Sequence, residues 1–517
     1  MTPNPILAVG LDGFDFGFAE RLMSEGALPN LRRLHDRSAR YRLDHGRDRY
    51  SGLAWEHFSS GRSPSDGGRW SAVHFDPATY VTRQDPTSAR PFLADLAART
   101  VVFDLPYCDL AQAPRVRGAT RWGAHDPGAA RVSQPDGLHE ELDRTFGPYP
   151  AGEWIYGFSW PSADKTRALS AALVRAVGVR RDAACWLLSE RLPDWDLAVV
   201  VVSESHSAIE PLWHGVDPSH PLHNIESAGP AREGLGSIYA AIDDLIGTLE
   251  SAFPMATLLV FAMHGMGPNE ADVAAMALLP ELLFRDAFGA PHMRPVSWPR
   301  HLPDGTPLLD EQQGWGAVVR RALPESSDMA PHSLPVARSM PGWMPATRYA
   351  PFWPRMRAFA LPSYYDGRVR VNVEGREANG LVPRHEYGAV CNSLAATLER
   401  CRNLLTGEKA VAETYCPKGD PLQVGESEAD LYVVWQTAPL GLSCPEVGDI
   451  GPLPYRRTGG HTGGPGFLYV SGNGILPGDR GLTSAFDVVP TIIELLGERP
   501  SPCVSGASLA RGLSVAS

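Results

Sequence analysis

The chain has 517 residues, of which 43% are hydrophobic and 21% charged, and its formal net charge is −12. That length exceeds one compact core and points to one large domain with sizeable insertions, or to two domains. An acidic chain with no lysine- or arginine-rich block argues against a nucleic-acid polymer or an anionic membrane as the main partner.

The N-terminus, MTPNPILAVGLDGFD, has no basic segment followed by a long apolar run, and no stretch of 18 apolar residues occurs, so a cytoplasmic enzyme is expected. ILAVGL (6–11) is the first of five short apolar runs expected to be buried parallel strands, and FAERLMSEGALPNLRRLHDR after it has a helical pattern. TVVFDL (100–105) and LAVVVVS (197–203) follow, with a helical stretch at 166–192 between them. SIYAAIDDLIGTLESAF (237–253) is helical and leads into the fourth run, TLLVFAM (257–263). From about 270 to 350 the chain is rich in Pro, Trp and His with weak periodicity, which predicts an irregular insertion near the site, or a lid. RAFALPSYYDGRVRVNVEG (357–375) alternates with period two and predicts a hairpin, and 389–404 is helical. FLYVSG (467–472) is the fifth run, and DVVPTIIELLG (487–497) is a late helix stopped by Gly497. Seven cysteines, an odd number without a CxxC pair, suggest neither a disulfide framework nor a structural zinc knuckle.

Strands alternating with helices imply an α/β fold with a mostly parallel sheet covered on both faces, and ligands at the carboxyl ends of its strands. The polar residues at those ends are Asp12, then Glu204 and His206, then His264, while His461 stands just before the fifth run. Acid and histidine side chains gathered along one sheet edge suggest a metal-assisted site.

In chain order, GLDGFD with LPNLRRL, SGLAWEHFSSGRSPSDGG, SESHSAIEPLWHGVDPSHP, MHGMGP, GGHTGG and DVVPTIIELLG resemble the motifs of the alkaline phosphatase superfamily. The resemblance is to its type I phosphodiesterase/nucleotide pyrophosphatase branch, and RAFALPSYYDGRVRVNVEGRE and the ADLYVVW run match the C-terminal region. It implies an alkaline-phosphatase-like α/β sandwich with a smaller C-terminal β-containing subregion and insertions. The core would be discontinuous, 1–269 with 440–517, and 270–439 would form the insertion or cap. It also implies one or two divalent metal ions, with Zn expected and Mn, Mg or Fe as alternatives. One ion would be held by Asp12 and His264 and would activate Ser51 as nucleophile; the other would be held by His206, Glu210 and His461. Two ions of this kind suit phosphoryl transfer through a covalent seryl intermediate, because they neutralise charge on the transferred group and the leaving oxygen.

The sequence departs from that pattern at two places. The family's pair four residues apart is Asp then His, whereas here it is His206 then Glu210; and Met263 stands where a carboxylate is expected before His264. A neutral thioether is a poor ligand for a hard cation, so the Asp12/His264 site is expected to bind metal weakly, to take a nearby carboxylate such as Glu270, or to be empty. Each residue also has a plainer reading: Asp12 as a helix cap, Ser51 as a loop serine, His206 as an interior histidine, Glu210 as a surface charge. His214, Asp217 and His220 are expected in a structured loop, and His125 and Asp126 either line the pocket or cap a turn. The function expected is a metal-dependent hydrolase of phosphodiester, pyrophosphate or phosphomonoester bonds in a small phosphate- or sulfate-containing substrate. The alternatives are a phosphoryl or sulfuryl transferase in a specialised biosynthetic pathway, or a binding protein that kept the fold. No cysteine lies in the nucleophile segment, which counts against a formylglycine sulfatase.

Overall fold

The five apolar runs are strands of one nine-stranded sheet in the computed structural model, which describes residues 4–85, 87, 89–124, 130–324 and 344–513. In space the strands run Gly478–Ser484, Ala39–Asp44, Pro465–Ser471, Thr257–His264, Ile6–Leu11, Leu197–Val202, Thr100–Phe103, Arg117–Thr120 and Val132–Gln134. Ile6–Leu11 pairs in parallel with both Leu197–Val202 and Thr257–His264. The central runs are apolar throughout because both faces are covered. Leu7, Val9 and Leu11 face the core under the helices Ala163–Trp186 and Ala228–Ala252. Ile6 and Ala8 alternate to the other face, with Trp55, Phe58 and Val488.

One expectation about direction is corrected. Pro465–Ser471 is antiparallel to both its neighbours, with Pro465 opposite His264. This reversal brings His461 to the site: a residue that precedes an antiparallel strand lies at the edge where its parallel neighbours end. In an all-parallel sheet it would lie at the far edge. Ala39–Asp44, antiparallel in turn to Pro465–Ser471, ends at the shared edge and delivers His45 and Ser51 there.

A second sheet, Ala358–Leu361, Gly367–Val371, Leu431–Trp435 and Val411–Tyr415, is antiparallel and contains the predicted hairpin. The strand Gly367–Val371 is buried on both faces, so the arginines of GRVRV are paired inside: Arg368 with Asp366 at 2.9 Å and Arg370 with Glu377 at 2.8 Å. The stretch expected to be irregular contains helices Leu279–Phe288 and Gly314–Ala322, whose apolar faces join the core of this second sheet. The cysteine expectation is also corrected, since Cys401 and Cys444, 43 residues apart, form a disulfide. Spacing in sequence carried no sign of it because strand pairing brings the two together: Arg402–Asn403 lies beside Leu442–Cys444. Among the described residues no helix is long and apolar enough to cross a membrane.

Candidate active site

The carboxyl edge of the main sheet carries the predicted residues. Asp12 follows the first strand, and its backbone N–H donates to the Val202 carbonyl, which ties it to the neighbouring strand. Gly13 (φ +62) lets the helix Glu204–Leu212 approach; a Cβ there would lie 2.8 Å from the His206 Cα. His206 thus reaches Asp12, with Nδ1 3.1 Å from Oδ2, and its Nε2 lies 3.4 Å from Glu210 Oε1, one helical turn on. His461 Nε2 is 3.3 Å from His206 Nε2. Burial alone would lower the His206 pKa, but the Asp12 and Glu210 carboxylates outweigh it and raise the imidazole to about 10.

His264 ends its strand and donates from Nδ1 to the Gly265 carbonyl at 2.9 Å, which leaves Nε2 as the ring's acceptor. Burial lowers its pKa to about 4, so the ring is neutral. Its ring centroid lies 4.6 Å from that of His461. Ser51 ends a 3-10 turn, Gly46–Ser51; its Oγ donates to the Asp48 carbonyl at 2.6 Å and accepts from Leu53 N–H at 3.1 Å. Asp12, Ser51, His206, His264 and His461 line one cavity of about 670 Å³, and Glu210 stands just behind His206.

Two other predicted positions are engaged elsewhere. Glu204 is held by the buried Arg180, which also reaches Asp104 at 2.8 Å, and so braces the sheet edge. Glu270 accepts from the Ala438 N–H at 2.7 Å and does not line the cavity. His214 and His220 are buried in the loop after the helix, with His214 Nε2 3.1 Å from Ser227 Oγ. His125 and Asp126 lie outside the described residues.

Sequence reasoning missed four groups. Arg457 donates through Nη1 to Glu210 Oε1, and Arg456 is clamped by Asp272 at 2.7 and 2.8 Å. Tyr365 stacks on His461 with centroids 3.7 Å apart. His45 and His57 form a buried pair, Nε2 to Nδ1 at 3.0 Å, beside His264. The only signals were a double arginine four residues before GGHTGG's histidine and the histidine within SGLAWEHF; neither identifies its partner.

No protein-family model matches the chain, and no curated protein matches it. Solved structures do match. A mutant of the alkaline phosphatase PafA is 12% identical over 99% of both chains, with a TM-score of 0.51. A phosphonoacetate hydrolase from Sinorhizobium meliloti 1021, in complex with phosphonoformate, is 16% identical over 94% of both chains, with a TM-score of 0.48. Murine ectonucleotide pyrophosphatase/phosphodiesterase 5, in complex with AMP, is 10% identical over 99% of this chain and 100% of that one, with a TM-score of 0.49. The match to PafA, together with the sheet order, establishes an alkaline-phosphatase-like fold.

The two-ion set that the motif resemblance implies does not fit these residues. Met263, in the expected carboxylate position, packs into the apolar core at 3% exposure, on the opposite strand face from His264. Glu210 is engaged by Arg457. Both His206 nitrogens are already occupied, Nδ1 by Asp12 and Nε2 by Glu210 and His461. Among the described residues no three His, Cys, Asp or Glu side chains are grouped to hold a metal ion.

Proposed function

We propose that the chain is an enzyme that cleaves or transfers the phosphoryl-type group of a small anionic ester, with Ser51 as nucleophile. What carries this reading is the convergence of Ser51 with His206, His264 and Arg457 on one cavity at the carboxyl edge of an alkaline-phosphatase-like sheet. Ser51 Oγ would attack the phosphorus as the bond to the leaving oxygen breaks, and that oxygen would take up the proton Ser51 gives up. Water or an acceptor alcohol would then displace Ser51 from the phosphoseryl intermediate. His264 Nε2 supplies an acceptor for the hydroxyl proton. The Arg457 guanidinium supplies hydrogen-bond donors to the charge that develops on the non-bridging oxygens, and the His206 ring, whose two nitrogens face Asp12 and Glu210, adds positive charge beside it. The apolar wall, with Trp55, Phe158 and Trp315, suits a leaving group with substantial apolar surface.

The test is turnover of bis(p-nitrophenyl) phosphate, p-nitrophenyl phosphate and a p-nitrophenyl nucleotide by wild type and Ser51→Ala. The expected loss in kcat is on the order of a hundredfold or more. Undiminished turnover in Ser51→Ala would exclude Ser51 as nucleophile. Product analysis with an added alcohol separates transfer from hydrolysis.

A further inference from the structure

Glu210 is 1% exposed and carries a carboxylate into the sheet edge, so a cation must stand against it. The motif resemblance implies that this cation is a divalent ion, but the chain supplies its own, the His206 ring on one side and the Arg457 guanidinium on the other. We propose that the Arg457 guanidinium is the resident cation of the Glu210–His206–His461 pocket, in the place of a metal ion, and that the protein takes no ion there.

The segment 455–461 is built to hold this arginine. The Arg456 carbonyl accepts from Ser159 N–H at 2.9 Å, and Thr458 N–H donates to the Glu210 carbonyl at 2.8 Å, so the backbone is fixed on both sides of Arg457. Gly459 runs against the Ile209 carbonyl, where a Cβ would sit 2.3 Å from the oxygen. The side chain is 6% exposed, and Nε donates to the Gly157 carbonyl at 3.2 Å, so it cannot swing away without breaking several contacts. The neighbouring Arg456 has its charge matched by two bonds from Asp272. Both arginines line the cavity, but they divide the work: Arg456 spends its charge on Asp272, and Arg457 brings its charge to Glu210.

A divalent ion ligated by Glu210 would sit about 2 Å from a carboxylate that the guanidinium already touches. Two like charges within roughly 4 Å in a buried pocket repel strongly, and Arg457 cannot leave by deprotonation. A guanidinium also differs from an ion in what it offers an oxyanion: planar donors in fixed directions rather than an exchangeable coordination site.

The experiment is elemental analysis and calorimetric titration of the full chain with Zn²⁺ and with Mn²⁺. Wild type and Glu210→Gln are expected to bind the same amount of metal. Arg457→Ser is expected to gain about one equivalent, and that gain should vanish in the Arg457→Ser/Glu210→Gln double variant. Arg457→Lys, which keeps the charge, should gain none. An ion bound by wild type and lost in Glu210→Gln overturns the proposal, as does a cooperatively folded Arg457→Ser that takes up no ion. If Arg457→Ser does not fold, the wild-type and Glu210→Gln comparison and Arg457→Lys still decide. These readouts do not depend on turnover, so they stand apart from the Ser51 test.

Discussion

At the scale of single residues, the site depends on close approach as much as on charge. Asp12 and His206 meet only because Gly13 has no side chain and takes a positive φ; a Cβ would lie 2.8 Å from both Cα and Cβ of His206. Gly13→Ala is therefore expected to cost about 1–3 kcal/mol, from backbone strain and displacement of the helix that carries His206. Urea denaturation measures this cost, and an unchanged midpoint would mean that the helix moves aside freely. Gly52 makes a similar demand, since its φ is +71 and a Cβ would approach the Tyr365 ring, which itself stacks on His461. Asp12 and His264 were legible in the sequence because an apolar strand ending in a polar residue fixes where that residue goes. Arg457 was not, because an arginine's role depends on which carboxylate it meets, and Glu210 is 247 residues away.

At the scale of elements, the central strands were legible from their apolar runs, and the motif order supplied the fold. Directions and edges were not: Pro465–Ser471 is antiparallel, and the edge strand Gly478–Ser484 carries mostly polar and glycine residues that give no strand pattern. The Cys401–Cys444 bond was hidden for the same reason, since it follows from the pairing of short strands far apart in the chain. It links the end of the helix Tyr387–Arg400 to the strand Leu442–Cys444. Thiol titration of unreduced, denatured protein should count five cysteines, the number outside the bond; a count of seven would show that the bond does not form. Closing a loop of 43 residues stabilises by up to about 4 kcal/mol in the chain-entropy account. Reduction, or Cys401→Ser, should therefore lower the thermal midpoint without abolishing turnover, because neither cysteine lines the cavity.

At the scale of the whole molecule, the buried histidines make stability depend on pH in two opposite ways. Burial lowers His57 and His214 to about 3 and His220 to about 4. In the unfolded chain each returns to about 6.5 and binds a proton more readily than in the fold. Below that value the unfolded state therefore gains protons that the native state refuses, and stability falls as pH drops toward 4. His206 has the reverse sign: despite burial, its two carboxylate neighbours raise it to about 10, so its contribution is complete below about 6.5 and is lost as pH rises through 10. Together these place maximal stability near neutrality and predict a steep acid limb, each lowered histidine costing on the order of 1–3 kcal/mol by about pH 4. Urea midpoints measured from about pH 7 down to about pH 4.5 trace that limb. His214 is the residue to separate it from general acid denaturation, because it lies in the loop after the helix and does not line the cavity. His214→Asn removes its proton uptake from the unfolded state, so the slope of midpoint against pH should become shallower in that variant. Parallel slopes for wild type and variant would show that His214 is not one of the groups that set the acid limit.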